Sequence, residues 1–173
     1  MQFVFLFLGS YVLLSFCYSM YLKLSIGGVF HPDFVTHYVA RQSSGLVSIF
    51  GYDAEIIAHE TKAQMVLNIN GGYLASIIEG CNSISIIILF ISFIVAFAQK
   101  FKKTFIFIFA GCLLIYIVNV IRIAILAIAL YNYPNQEKIL HGVIFPGIIY
   151  GMVFLLWMLW IKMLNPKNGA KHE

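Results

Sequence analysis

Four apolar stretches, each close to the roughly 20 residues needed to cross a bilayer, constrain this chain more than anything else in it. They run from about Phe3 to Leu22, Ser83 to Ala98, Thr104 to Tyr131 and Val143 to Ile161. The third exceeds the minimum and has length to tilt. Backbone N–H and C=O groups in lipid must be satisfied within their own segment, so all four are expected as helices. A soluble reading fails on volume. Of 173 residues, 61% are hydrophobic and 10% charged, and no interior of that size hides so much apolar surface. The expectation is one all-α integral membrane domain over residues 1–173 with four transmembrane helices.

Lysine and arginine in the connections set the orientation. Lys100, Lys102 and Lys103 occupy the short turn between the second and third stretches, and Lys162, Lys167 and Lys171 follow the fourth. Both places fall on one side of a four-span protein, which makes that side cytoplasmic and both termini cytoplasmic. The segment of about residues 23–80 carries Lys23, Arg41 and Lys62 against Asp33, Asp53, Glu55, Glu60 and Glu79. It is net acidic and falls outside, as does Asn132–Leu140. Gly27-Gly28, Gly45, Gly51 and Gly71-Gly72 break it into pieces. A hairpin is expected within Ala54–Asn70, as part of a small extracytoplasmic cap. The first stretch lacks a basic leader and a small-residue cleavage site, so it reads as an anchor rather than a signal peptide. The net charge of +4 reflects these edge lysines. It forms no basic stripe, and nucleic acid is not an expected partner.

Three residues stand out against this background. Arg122 lies inside the third stretch, roughly 27 Å along a helix counted from Thr104. An arginine near a helix centre costs about 2.5–3.5 kcal/mol on insertion scales. Intramembrane ionisable groups usually face a polar site. The alternative is a snorkelling arginine partnered by Asn119, which shares its face three residues earlier. Cys81 stands where the outer segment enters the second stretch, with Asn82 or Ser83 placed to cap the helix. A thiol there feels the positive end of the helix dipole, which favours the thiolate. Glu79 opposes this unless it pairs, and Arg122 is a plausible partner. His141 stands where the second outer loop enters the fourth stretch, beside Gly142. Each has a plain reading as well: a membrane cysteine is commonly a small apolar filler, as Cys17 and Cys112 are expected to be, and an interfacial histidine is common. His31, His37 and His59 lie in the cap without the spacing of a zinc site, so neither metal nor cofactor is expected.

Topology changes the weighting. Cys81, Arg122 and His141 fall near the outer ends of three consecutive helices, at one depth. A thiolate attacks an acyl carbon, a histidine moves the proton, and an arginine stabilises the oxyanion in a water-poor setting.

The blocks Glu79-Gly80-Cys81-Asn82-Ser83-Ile84, Asn119-Val120-Ile121-Arg122 and His141-Gly142 resemble, in that order, the exosortase/archaeosortase family, and look closest to the small F-type exosortases (exosortase F). The resemblance covers about Gly72 to Trp160. It implies a membrane cysteine protease-transpeptidase with Cys81 as nucleophile and Arg122 and His141 completing the catalytic set; Glu79, Asn82 and Asn119 are supporting candidates. It further implies exported protein substrates with a C-terminal sorting signal, made of a short motif, a transmembrane helix and a basic tail. These would be cleaved on the extracytoplasmic side of a bacterial cytoplasmic (inner) membrane and passed to an acceptor. Two departures stand out. Many relatives carry Cys-Ser-Gly where this chain has Cys81-Asn82-Ser83. Many also have about eight spans, so a partner membrane protein or an oligomer is expected to complete the groove. The competing readings are a small transporter or channel component with Arg122 on an anion path, and a non-catalytic assembly factor using Arg122 to pair helices.

Overall fold

The computed structural model describes residues 2–25, 28, 30 and 32–164, without the side chains of Glu137 and His141. Gly27, His31, Lys167 and Lys171, which entered the sequence reading, lie outside the described residues.

Among the described residues, three helices are long and apolar enough to cross a membrane: Gln2–Ser25, Phe101–Asn132 and Gly142–Leu164. The first is α1 and the second α4. The third joins a π-helical turn, Leu140–Ile144, to α6 (Phe145–Leu164). Pro146 has no N–H to offer the carbonyl four residues back, at Gly142, which accounts for irregular winding at this helix start. The expected span Ser83–Ala98 is shorter in the structure: α3 covers Ile84–Ala96, 13 residues, or about 20 Å. It begins only after a 3-10 turn at Glu79–Cys81 and a left-handed Ser83. Its last turn winds down at Phe97 and Ala98, whose N–H groups reach back three residues to Ile94 and Val95.

The apolar runs therefore yield a mostly helical membrane protein, and the sheet is confined to the cap. Asp33 starts α2 (Phe34–Ile49) by accepting the N–H groups of Val35 and Thr36. Three strands follow, β1 (Ala54–Ala58), β2 (Gln64–Ile69) and β3 (Gly72–Ile78), antiparallel in the order β1-β2-β3. The expected hairpin is β1–β2. A second hairpin turns at Asn70-Gly71, both with positive φ, the backbone of the tight two-residue turn that Asn-Gly favours. A bulge falls between Leu67 and Asn68 of β2 and their partners Ala75 and Tyr73 on β3.

Two larger apolar cores stack along α4, beside a small third cluster of Leu126, Leu130 and Phe145. The upper one joins Val39, Ala40 and Val47 of α2, Met65, Leu67 and Ile69 of β2, and Ile123, Ala124 and Ala127 of α4. The lower one joins Phe90 and Ile94 of α3 with Ile115, Val153 and Trp160. At about 48 Å for 32 residues, α4 exceeds the roughly 30 Å of hydrocarbon. From about its midpoint upward it lies against the cap, where Ser43 donates to the Val120 carbonyl and Tyr116 to Gln42. No residue of α1 is buried, which suits a helix flanked by lipid. It lies against α3, with the Phe3 ring 4.4 Å from that of Phe97.

Candidate active site

Cys81 closes the 3-10 turn that joins β3 to α3. Its carbonyl accepts a 2.7 Å hydrogen bond from Nδ2 of Asn119 on α4. Asn119 is buried at 1% exposure, so the backbone of the thiol residue is pinned to the helix that carries Arg122. The three-residue spacing expected to put Asn119 and Arg122 on one face does so, and Cys81 lies against that face.

Asn82 is fully buried and acts as a junction. Its Nδ2 donates to Tyr18 Oη at 2.9 Å and to Thr36 Oγ1 at 3.0 Å. Its Oδ1 accepts from the Ile84 N–H at 3.0 Å. Asn82 is thus the residue that caps α3 with its side chain, whereas Ser83 makes no side-chain cap bond. Ser83 instead bends the chain with φ +64° and donates its hydroxyl to the Asn82 carbonyl at 2.6 Å. This is the left-handed conformation that glycine adopts readily and other residues resist. The turn that a glycine would serve at this position is kept, with serine held in it.

Cys81 and Arg122 line one cavity of about 360 Å³ between β3 and α4. Arg122 Nε is buried and has no hydrogen-bond partner. The groups close enough to interact with its charge, among the described residues, are Cys81 and Tyr150. Counted from Phe101, Arg122 is about 31 Å along the helix, above the levels at which Gln42 and Ser43 of α2 meet α4. Ile123 and Ala124 beside it are covered by the cap. Pairing of Glu79 with Arg122, a role left open by the sequence, is not seen: Glu79 is exposed at the rim of the turn, and Arg122 Nε stays unpartnered. Asn119 Oδ1, one turn below, is likewise buried without a donor.

His141 lies within the π-helical turn that leads into α6; its side chain is outside the described residues. Its backbone neighbourhood is clear. Leu140, immediately before it, and Leu74 of the cavity both pack against the cluster of Leu126, Leu130 and Phe145. The segment bearing His141 therefore abuts the cavity wall. Extra residues in a helix of this kind re-aim side chains and recur at functional sites.

The remaining residues separate from the site. Cys17 is exposed on α1 and Cys112 packs in the lower core. His59 Nδ1 accepts the N–H groups of Thr61 and Lys62 in the β1–β2 turn, and the His37 ring lies 5.5 Å from Phe30. Three polar groups at the site were not anticipated from the sequence: Tyr18, Thr36 and Tyr150. A tyrosine near the outer end of an apolar helix resembles an ordinary interfacial anchor. Only the paired spacing of Tyr18 and Tyr21, whose hydroxyls reach Asn82 and Asp33, offered a signal.

The family model for the transmembrane exosortase (Exosortase_EpsH) matches residues 2–161. The chain belongs to the exosortase family. The match includes α1 and the cap, and so extends well beyond the three blocks that carry the resemblance. No curated protein and no solved structure matches the chain. In this exosortase-family chain, one cavity thus brings together Cys81 and Arg122, two of the three residues that the sequence singles out.

Proposed function

We propose that this chain is a small exosortase of the F type, a membrane cysteine protease-transpeptidase acting on the C-terminal sorting signals of exported proteins. The observation that carries the proposal is the shared cavity, in which the Cys81 side of the turn meets an arginine whose buried Nε has no partner. An unsatisfied buried donor is costly, and a developing oxyanion is the acceptor that would satisfy it.

In this mechanism His141 takes the Cys81 proton. The thiolate attacks the scissile carbonyl carbon, a C–S bond forms, and Arg122 stabilises the resulting oxyanion. Collapse breaks the C–N bond. The departing amine takes the proton from His141 and leaves with the substrate's membrane helix and basic tail. The acyl group stays on Cys81 as a thioester until an acceptor nucleophile attacks it and frees the thiolate. Asn119 acts through Cys81, holding its carbonyl, and is a positioning residue; so is Asn82. Glu79 stands at the exposed rim, where it meets incoming substrate. No cofactor takes part.

The membrane is the bacterial cytoplasmic one, crossed four times with both termini inside. The short α3 is the second crossing, enclosed by α1, α4 and α6, and the active site opens on the extracytoplasmic side. With four spans, a second copy or an accessory membrane protein supplies what longer relatives carry in one chain. The test is to express Cys81→Ala, Arg122→Ala and His141→Ala in the host and follow exported proteins that end in a motif, an apolar helix and basic residues. Each variant is expected to reach the membrane at normal levels and leave those proteins unprocessed. Normal processing by Cys81→Ala would overturn the proposal. An alkylated or thioester adduct mapped to Cys81 by mass spectrometry would support it directly.

A further inference from the structure

We infer that the free edge of β3 is the docking strand for the extended part of the substrate that carries the scissile bond. That segment adds a fourth strand beside β3 and delivers its cleavage point to Cys81. The inference rests on the transpeptidase reading above.

β3 is an edge strand, paired with β2 on one side. The cavity at Cys81 is lined by Tyr73, Leu74, Ala75, Ser76 and Ile77 in unbroken succession. Successive side chains of a strand point to opposite faces, so a space touching all of them runs along the edge of the strand rather than across one face. The side chains agree. Ala75 and Ile77 pair with the buried Leu67 and Met65, whereas Tyr73 and Ser76 share the other face and bond to each other at 3.2 Å. The opposite wall comes from α4, where Arg122, Ile123, Leu126, Ala127 and Leu130 recur at helical spacing. The space between them is about 360 Å³, within the range of roughly 300–1,000 Å³ for sites that hold small ligands.

Apart from the bulge where residues 73–75 face Asn68 and Leu67, the edge is also unguarded. Natural edge strands are blunted by charge, proline or a covering element. Residues Gly72–Ile78 contain neither a charge nor a proline, while β1 at the other edge carries Glu55. Among the described residues, the backbone of 73–77 makes no hydrogen bond outside the ladder to β2. An extended peptide fits such an edge, since main-chain bonds supply affinity and alternate side chains supply selectivity. Continuity with the reacting groups identifies which peptide: β3 runs directly into the turn that ends at Cys81, and Arg122 faces the same space. Apart from Cys81, Arg122 and the hydroxyl pair of Tyr73 and Ser76, the lining side chains are apolar and none is acidic, so the accepted segment is short, extended and largely uncharged.

The test uses the full chain in lipid nanodiscs. The probe is a synthetic peptide carrying the motif and apolar helix of an exported protein that accumulates unprocessed in Cys81→Ala cells. Single backbone N-methyl groups are placed in turn on the residues around the cleavage point, the scissile amide excepted. Docking on β3 predicts a period of two: kcat/KM falls about three- to tenfold at alternate residues, the worth of one hydrogen bond, and changes little between them. A flat profile with the parent peptide still cleaved would overturn β3 docking and leave the transpeptidase standing; an edge occupied by a second copy of the chain gives that result. Failure to cleave the parent peptide would overturn the transpeptidase reading and this inference with it.

Discussion

A single residue, Ser83, shows how closely the site depends on local backbone. Its φ of +64° costs a non-glycine residue about 1 kcal/mol or more. Ser83→Gly should therefore raise the unfolding midpoint in detergent, by an amount corresponding to about 1 kcal/mol, and Ser83→Val should lower it. Asn82 is the opposite case. It satisfies Tyr18, Thr36 and the first N–H of α3. Asn82→Ala leaves several buried groups unpaired, at about 1–3 kcal/mol for each fully desolvated one, and thermal unfolding should show a loss of about 2 kcal/mol or more. Asn119→Ala removes only the bond to the Cys81 carbonyl, so kcat should fall while KM stays close to normal; a KM effect alone would contradict a positioning role. The prominence of Arg122 was readable at this scale because one charge in an apolar run needs a reason. The junction at Asn82 was not readable, since its partners lie 64 and 46 residues away and tyrosine and threonine carry no signature of their own.

Among the elements, α3 and α4 are tightly packed at Gly111, against which the Phe90 ring lies. A Cβ there would lie 2.3 Å from Cζ of Phe90, and Phe90 is fully buried, so the ring has no room to yield. Gly111→Ala should destabilise the protein by about 1–3 kcal/mol, as overpacked cores do. Phe90→Leu in the same chain should restore part of the loss, measured by thermal unfolding. The long helices were legible because lipid leaves the backbone one solution, and periodicity is not needed to find them. The Asn70-Gly71 turn was legible from its residues. α2 was missed, though Asp33 at its start and the buried stripe of Val39, Ala40, Ser43, Ser44 and Val47 have helical spacing. Small and hydroxyl-bearing residues weaken that stripe, and Gly45 inside it reads as a break. The length of α3 was overestimated because its apolar run includes Ser83 and Ala98, where the backbone has already left the helix. That Cys81 and Arg122 share a cavity required the cap, whose sheet supplies one of its walls.

At the scale of the whole molecule, α4 is common to a membrane core and a cap core, and the site lies where they meet. Arg122 is consequently covered by protein on the cap side, which lowers the cost of placing a charge at that depth. Tags at either terminus should be inaccessible from outside intact spheroplasts, while a tag in the β1–β2 turn should be accessible; the reverse would overturn the orientation. The 13 residues of α3 then have a metric consequence. Asn119, which holds the Cys81 carbonyl, is 18 residues beyond Phe101, so α3 and the turn before it leave Cys81 about 27 Å above the lysine-bearing edge, close to the thickness of an average bilayer core. A sorting signal pinned at that same edge by its basic tail presents its cleavage point at a height set by the length of its own apolar helix. On the proposed function the chain would thus act as a ruler, and adding or removing three or four residues from that helix should slow processing even with the recognition motif intact.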